Sequence, residues 1–168
     1  MWDDAEKKMT GLNDLLGPTS ERLSLLGALN KRRGPKFFGA AADFYCKAYE
    51  HKRSVSGELD PYSGLNAVSL AYLAGQSAPI AQECLAEAKR QRDEPSFWER
   101  IYRPDAILLE HLYAGDLDAN TDAVVAEYRS ALDGAAVNER DSVIYQLEFL
   151  NWNRPGPGLQ AVIDALKT

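Results

Sequence analysis

Residues 41–49 read Ala41-Ala42-Asp43-Phe44-Tyr45-Cys46-Lys47-Ala48-Tyr49. Within them, Ala41-x-x-x-Tyr45-x-x-Ala48 alternates small, large and small side chains at a spacing that gathers all three on one face of an α-helix. The pattern returns as Ala81-x-x-x-Leu85-x-x-Ala88 and as Val124-x-x-x-Tyr128-x-x-Ala131. Small residues let a partner helix approach, and the large one fills the groove between them. The segments just upstream also repeat. Leu23-x-x-Leu26-Gly27-x-x-Asn30 precedes the first copy, and Leu65-x-x-Val68-Ser69-x-x-Tyr72 precedes the second. Gly27 and Ser69 stand where a crossing helix demands a small side chain.

Recurrence of this kind predicts stacked helix pairs. The segments resemble the tetratricopeptide pattern, Trp-x-x-Leu-Gly-x-x-Tyr followed by Ala-x-x-x-Phe. The intervals Ala41–Ala81 and Ala81–Val124 are 40 and 43 residues, against about 34 in a standard repeat, so longer loops are expected. The predicted architecture is all-α: one domain over 1–168, a right-handed tetratricopeptide-like solenoid of about four antiparallel pairs. An N-terminal helix lies in 1–17 and the pairs occupy 20–167. Strand signals are nearly absent. Helices are expected at 2–16, 20–33, 37–52, 61–75, 78–92, 96–114, 120–133, 138–152 and 157–167, with a polar loop at 53–60. Punctuation supports these bounds. Thr19 or Ser20, Asp60-Pro61, Ser96-x-x-Glu99 and Asn138 offer helix starts. Gly34, Gly75, Gly115, Gly134 and Gly156 offer stops.

The sequence has 45 % hydrophobic and 26 % charged residues and a formal net charge of -6. The first pair of values fits a globular chain. The acidic balance speaks against nucleic acid as the main partner. Cys46 and Cys84 are too few for a disulfide framework and read as buried thiols of a cytoplasmic protein. No stretch reaches the length of a membrane span, and residues 1–17 lack the apolar run of a signal peptide.

Four segments carry a further resemblance. They are Ala41–Tyr49 (AADFYCKAY), Tyr62–Gly75 (YSGLNAVSLAYLAG), Phe97–Asp116 (FWERIYRPDAILLEHLYAGD) and Ser142–Leu150 (SVIYQLEFL). In this order they resemble the tetratricopeptide-like TRAF-binding region of apoptosis-signal-regulating kinase kinase kinases and its bacterial relatives. The likeness covers about residues 20–167, and its most specific piece is Tyr62-Ser-Gly-Leu-Asn-Ala. It implies a regulatory scaffold that recruits or controls an effector such as a kinase or a caspase-like protease. The chain departs from the family at Arg103-Pro104-Asp105-Ala106, where proline would break a helical hydrogen bond and kink the helix.

No nucleophile elbow, zinc-protease helix or phosphate-binding glycine loop is present. His51 and His111 are isolated and read as ordinary helical residues, so no catalysis and no cofactor are expected. Asp116-x-Asp118-x-Asn120-Thr121-Asp122, leading to Glu127, has calcium-loop spacing. However, Thr121 stands where that loop needs glycine, and Val124 and Val125 belong to the repeat. An acidic inter-helix turn is expected instead. The expected partner is a protein or peptide, acidic if it uses the basic cluster at Lys31, Arg32 and Arg33. The first helices of the pairs would line a concave binding face. Glu21, Ser24, Ala28 and Lys31 line it in the first pair, Ser63, Asn66, Leu70 and Leu73 in the second, and Tyr102, Asp105, Leu109 and Leu112 in the third. Asn66 could hold a peptide backbone through both its donor and its acceptor. The alternative reading is a helical domain that senses a ligand or nucleic acid.

Overall fold

The computed structural model describes residues 2–168, and they are helical nearly throughout. Nine α-helices follow one another among the described residues: α1 (Trp2–Leu16), α2 (Ser20–Arg32), α3 (Phe38–Ser56), α4 (Pro61–Leu73), α5 (Ala81–Ala88), α6 (Phe97–Ala114), α7 (Leu117–Ala131), α8 (Val137–Asn153) and α9 (Pro157–Lys167). A 3-10 turn, Pro35–Phe37, precedes α3. No strand occurs among the described residues, so the all-α expectation holds. None of these helices is long and apolar enough to cross a membrane.

The chain divides into two compact units, one ending at Glu87 and one running from Ala88 to Thr168. In the first, α2 packs on α1 and α3, and α3 packs on α4. Ala41, Tyr45 and Ala48 are all buried. A β-carbon added at Gly27 would lie 2.6 Å from the Tyr45 ring, so α2 and α3 touch where the repeat pattern places a small residue. The matching contact on α4 is different. Gly64, not Ser69, meets the neighbouring helix, and an added β-carbon there would collide with the Cys84 thiol of α5. Ser69 instead turns its hydroxyl to the Leu65 carbonyl at 2.7 Å.

In the second unit, α7 packs on both α6 and α9, and α8 packs on α9. Val124, Tyr128 and Ala131 are buried. Helix α6 runs through Pro104 without interruption, although the proline cannot donate to the Arg100 carbonyl. Asp105 is buried beside it. Tyr128 donates to its Oδ1 at 2.6 Å and Gln146 to its Oδ2 at 3.1 Å, which ties α6, α7 and α8 together. Burial pushes the Asp105 carboxyl up to about 6 despite these two hydrogen bonds. Burial and the adjoining Asp105 carboxylate push the Tyr128 hydroxyl well up.

Several boundaries depart from the sequence reading for definable reasons. The loop expected at 53–60 shrinks to 57–60, because α3 continues to Ser56. Gly57, at φ 73°, ends it and donates to the Arg53 carbonyl, and a left-handed residue of this kind is a strong stop signal. Helix α5 covers only 81–88 of the expected 78–92. Past it, Arg103 donates to the Lys89 carbonyl at 3.3 Å. Helix α7 begins at Leu117 rather than 120, so the acidic run 116–122 opens a helix and is not a turn. A calcium loop would need a non-helical backbone there. Asp118 instead accepts the Gly158 N–H at 2.8 Å, placing a carboxylate at the N-terminus of α9, where the helix dipole favours it. Helix α8 starts from Ala136, whose N–H donates to Glu139 at 2.9 Å, so Asn138 lies inside the helix and does not cap it. Gly156 begins α9 rather than ending α8.

Candidate functional site

The first unit contains a groove of about 650 Å³ between the start of α2, the end of α3 and the start of α4. That volume lies within the range of ligand-binding clefts, about 300–1,000 Å³. Helix periodicity places Glu21, Ser24, Leu25 and Ala28 of α2 along one wall, and His51, Lys52 and Val55 of α3 along another. The short 57–60 connection and Tyr62 close the end. Three large apolar side chains in this lining stay open to solvent: Leu25 is 47 %, Tyr62 53 % and Val55 74 % exposed. Tyr62 is braced from beneath by Tyr45, whose ring meets it edge-on at 6.4 Å.

The polar lining is ordered. The Ser63 hydroxyl donates to Asp60 at 2.6 Å. With its proton committed there, Ser63 accepts from Ser24, 3.1 Å away. Ser20 Oγ lies 3.4 Å from His51 Nδ1. A serine beside a histidine suggests a nucleophile and its base, but activation also requires a group that orients the imidazole. Among the described residues no carboxylate hydrogen-bonds the other His51 nitrogen. Lys52 stands 3.8 Å from Glu58 across the rim. The lining thus combines exposed apolar side chains with hydroxyl, imidazole and charged groups.

Of the residues expected on the concave face, Glu21, Ser24, Ala28 and Ser63 line this groove, with Ser63 buried at its floor. Asn66 is half-buried and spends a donor on the Tyr62 carbonyl of its own helix at 3.0 Å. Leu70 does not line any face: it is fully buried, because α4 is covered around most of its girth and not along one stripe. Asp105 is likewise no surface residue but the buried centre of the second unit's polar network. Tyr102 is half-buried, with the Arg92 guanidinium 5.6 Å from its ring centre.

The basic cluster divides. Arg32 is exposed. Lys31 is half-buried, and burial together with neighbouring Arg32 lowers its ammonium pKa. Arg33 binds Asp3 at 2.6 Å and also Glu6, both on α1, and lies 3.7 Å from the centre of the Phe37 ring. It is therefore a clamp between α1 and α2 and not an open positive charge. Arg33→Glu should detach α1, costing about 1–2 kcal/mol for charge-assisted hydrogen bonds lost at a partly buried site. Arg32→Glu should cost almost nothing. Amide exchange in α1 should quicken for the first variant alone, and equal exchange in both would refute the clamp.

The remaining candidate chemistry is muted. His111 Nδ1 pairs with Asp116 at 2.8 Å and joins the end of α6 to the start of α7. Cys84 is buried and Cys46 half-buried, both as free thiols. Burial, reinforced by neighbouring acidic groups, raises them to about 12 and about 11, away from the reactive thiolate. Comparison with known protein families, curated proteins and solved structures yields no match to the chain.

Proposed function

We propose that the protein is a non-enzymatic interaction scaffold, each unit of which stacks tetratricopeptide-like helix pairs, and that it docks a segment of a partner protein in the groove between α2, α3 and α4. The observation that carries this reading is the exposure of Leu25, Val55 and Tyr62 around one concavity. Clustered apolar side chains with a polar rim mark a binding surface, whereas scattered ones do not. The buried small–large–small contacts at Gly27 and Tyr45 support the repeat assignment. Its free thiols support a reducing compartment such as the cytoplasm. A regulatory role beside an effector such as a kinase or a caspase-like protease follows from the resemblance of the four segments quoted above.

Affinity capture from the source cell tests the docking reading. The wild-type chain and a Val55→Asp variant are compared by mass spectrometry. Val55 is exposed, so the change leaves the core intact while desolvating a charge on docking. A protein retained by the wild type and depleted at least about tenfold by the variant is the expected result, a loss of about 1.4 kcal/mol. Identical partners for both chains would defeat the assignment.

A further inference from the structure

We infer that the groove selects a segment in which a lysine or arginine neighbours an apolar side chain, so its partner is basic at the point of contact. The inference rests on the docking reading above and adds the partner's chemistry. Glu21, Glu58 and Asp60 line the groove, with Lys52 as the one fixed cation among the lining residues. Three carboxylates and one ammonium give a net charge of -2 with His51 neutral. The N-termini of α2 and α4 face this region, each with roughly half a positive charge, and the C-terminus of α3 faces it with roughly half a negative one. The helix ends together offset only about half a charge, so the lining stays negative. Lys52 does not reverse this, because its ammonium is already turned to Glu58.

The apolar part supplies the second requirement. Leu25, Val55 and Tyr62 offer contact area for one or two aliphatic or aromatic side chains. Their neighbours Ser20, Ser24 and His51 offer hydroxyl and imidazole groups to a peptide backbone. An acidic segment would meet like charge here, and such juxtapositions are strongly disfavoured at interfaces. The basic cluster that sequence alone marks for an acidic partner is partly consumed by α1, since Arg33 is held by Asp3 and Glu6.

A phage-displayed library of random octapeptides, panned on the full chain, provides the probe. Enriched peptides are synthesised with a fluorescent label and titrated by anisotropy against three proteins: wild type, Val55→Asp, and Glu21→Gln combined with Glu58→Gln. Both glutamates are exposed, and circular dichroism confirms that each variant stays folded. The expected result is enrichment of lysine or arginine beside leucine, methionine or phenylalanine. Binding should be lost in Val55→Asp and weakened roughly tenfold, with less salt dependence, in the double glutamine variant. Peptides that need Val55 but are acidic, uncharged or indifferent to the glutamine changes would overturn the basic-segment inference and leave the groove standing. Failure to find any peptide sensitive to Val55→Asp would overturn both.

Discussion

Asp105→Asn should stabilise the protein at neutral pH and leave it no more stable than wild type in mild acid. Asp105 is buried, and both of its hydrogen-bond donors, Tyr128 and Gln146, are neutral. Its carboxyl is raised from 3.8 to about 6. The folded chain therefore takes up a proton before the unfolded chain does. Stability associated with this group is fully present below the unfolded value of 3.8 and is lost as pH rises through about 6. A shift of this size corresponds to about 3 kcal/mol of penalty for the ionised form at pH 7.5. Asparagine keeps the shape, accepts from Tyr128 and can meet the Gln146 amide after rotation of that side chain. It removes the charge at all pH values. The gain at pH 7.5 should reach at most about 3 kcal/mol, reduced by the weaker hydrogen bonds of a neutral acceptor. Urea denaturation of both proteins at pH 7.5, 6.0 and 4.5 measures the difference, in which effects shared with other groups cancel. A gap between the two that is the same at all three pH values would show that Asp105 titrates normally in the folded chain.

The same residue marks where sequence reasoning ends. Tyr128 was legible as the large member of a buried repeat, because periodicity alone places it on the core face. Asp105 lies at helical spacing from Tyr102 and Leu109, and nothing in that spacing tells a carboxylate facing solvent from one that meets a tyrosine hydroxyl 23 residues away. Helix existence was written locally. Thr19, Asp60, Ser96, Gly75 and Gly115 stand at the helix ends they announce. The polar run 53–56 misled, because serine and arginine are compatible with a helix end when Gly57 follows to stop it. The groove lining was legible at Glu21, Ser24, Ala28 and Ser63, which helical spacing puts on the face turned to it. Leu25, Val55 and Tyr62 look like core residues in a sequence, and their exposure is set by the packing of α2, α3 and α4 in three dimensions. Paired charges were hidden for a similar reason: Arg33 belongs to a visible basic cluster, but Asp3 and Glu6 neutralise it from 30 and 27 residues away.

Gly27→Ala should destabilise the first unit by about 2 kcal/mol even though alanine is the better helix former. Glycine inside a helix costs about 1 kcal/mol relative to alanine, so the local effect of the change is favourable. Packing opposes it. The new methyl carbon would sit 2.6 and 2.7 Å from two carbons of the Tyr45 ring, far inside the usual contact distance of about 3.5–4.0 Å. Tyr45 is buried at 2 % exposure and its ring is wedged against Tyr62, so it cannot swing aside freely. Overpacking of this kind costs about 1–3 kcal/mol, and more where the ring is fixed. The larger Gly27→Val should cost more still. Tyr45→Leu alone removes a ring and leaves a cavity, but together with Gly27→Ala it should recover part of the loss, giving a double-mutant coupling of at least about 1 kcal/mol. The effect should also reach the groove, since Tyr62 rests on Tyr45. Tryptic cleavage at Lys52 and Arg53 should quicken in Gly27→Ala and slow again in the double variant. Additive stabilities in the cycle would mean that α2 and α3 do not touch at Gly27, and the repeat register built on Ala41, Tyr45 and Ala48 would fall with it.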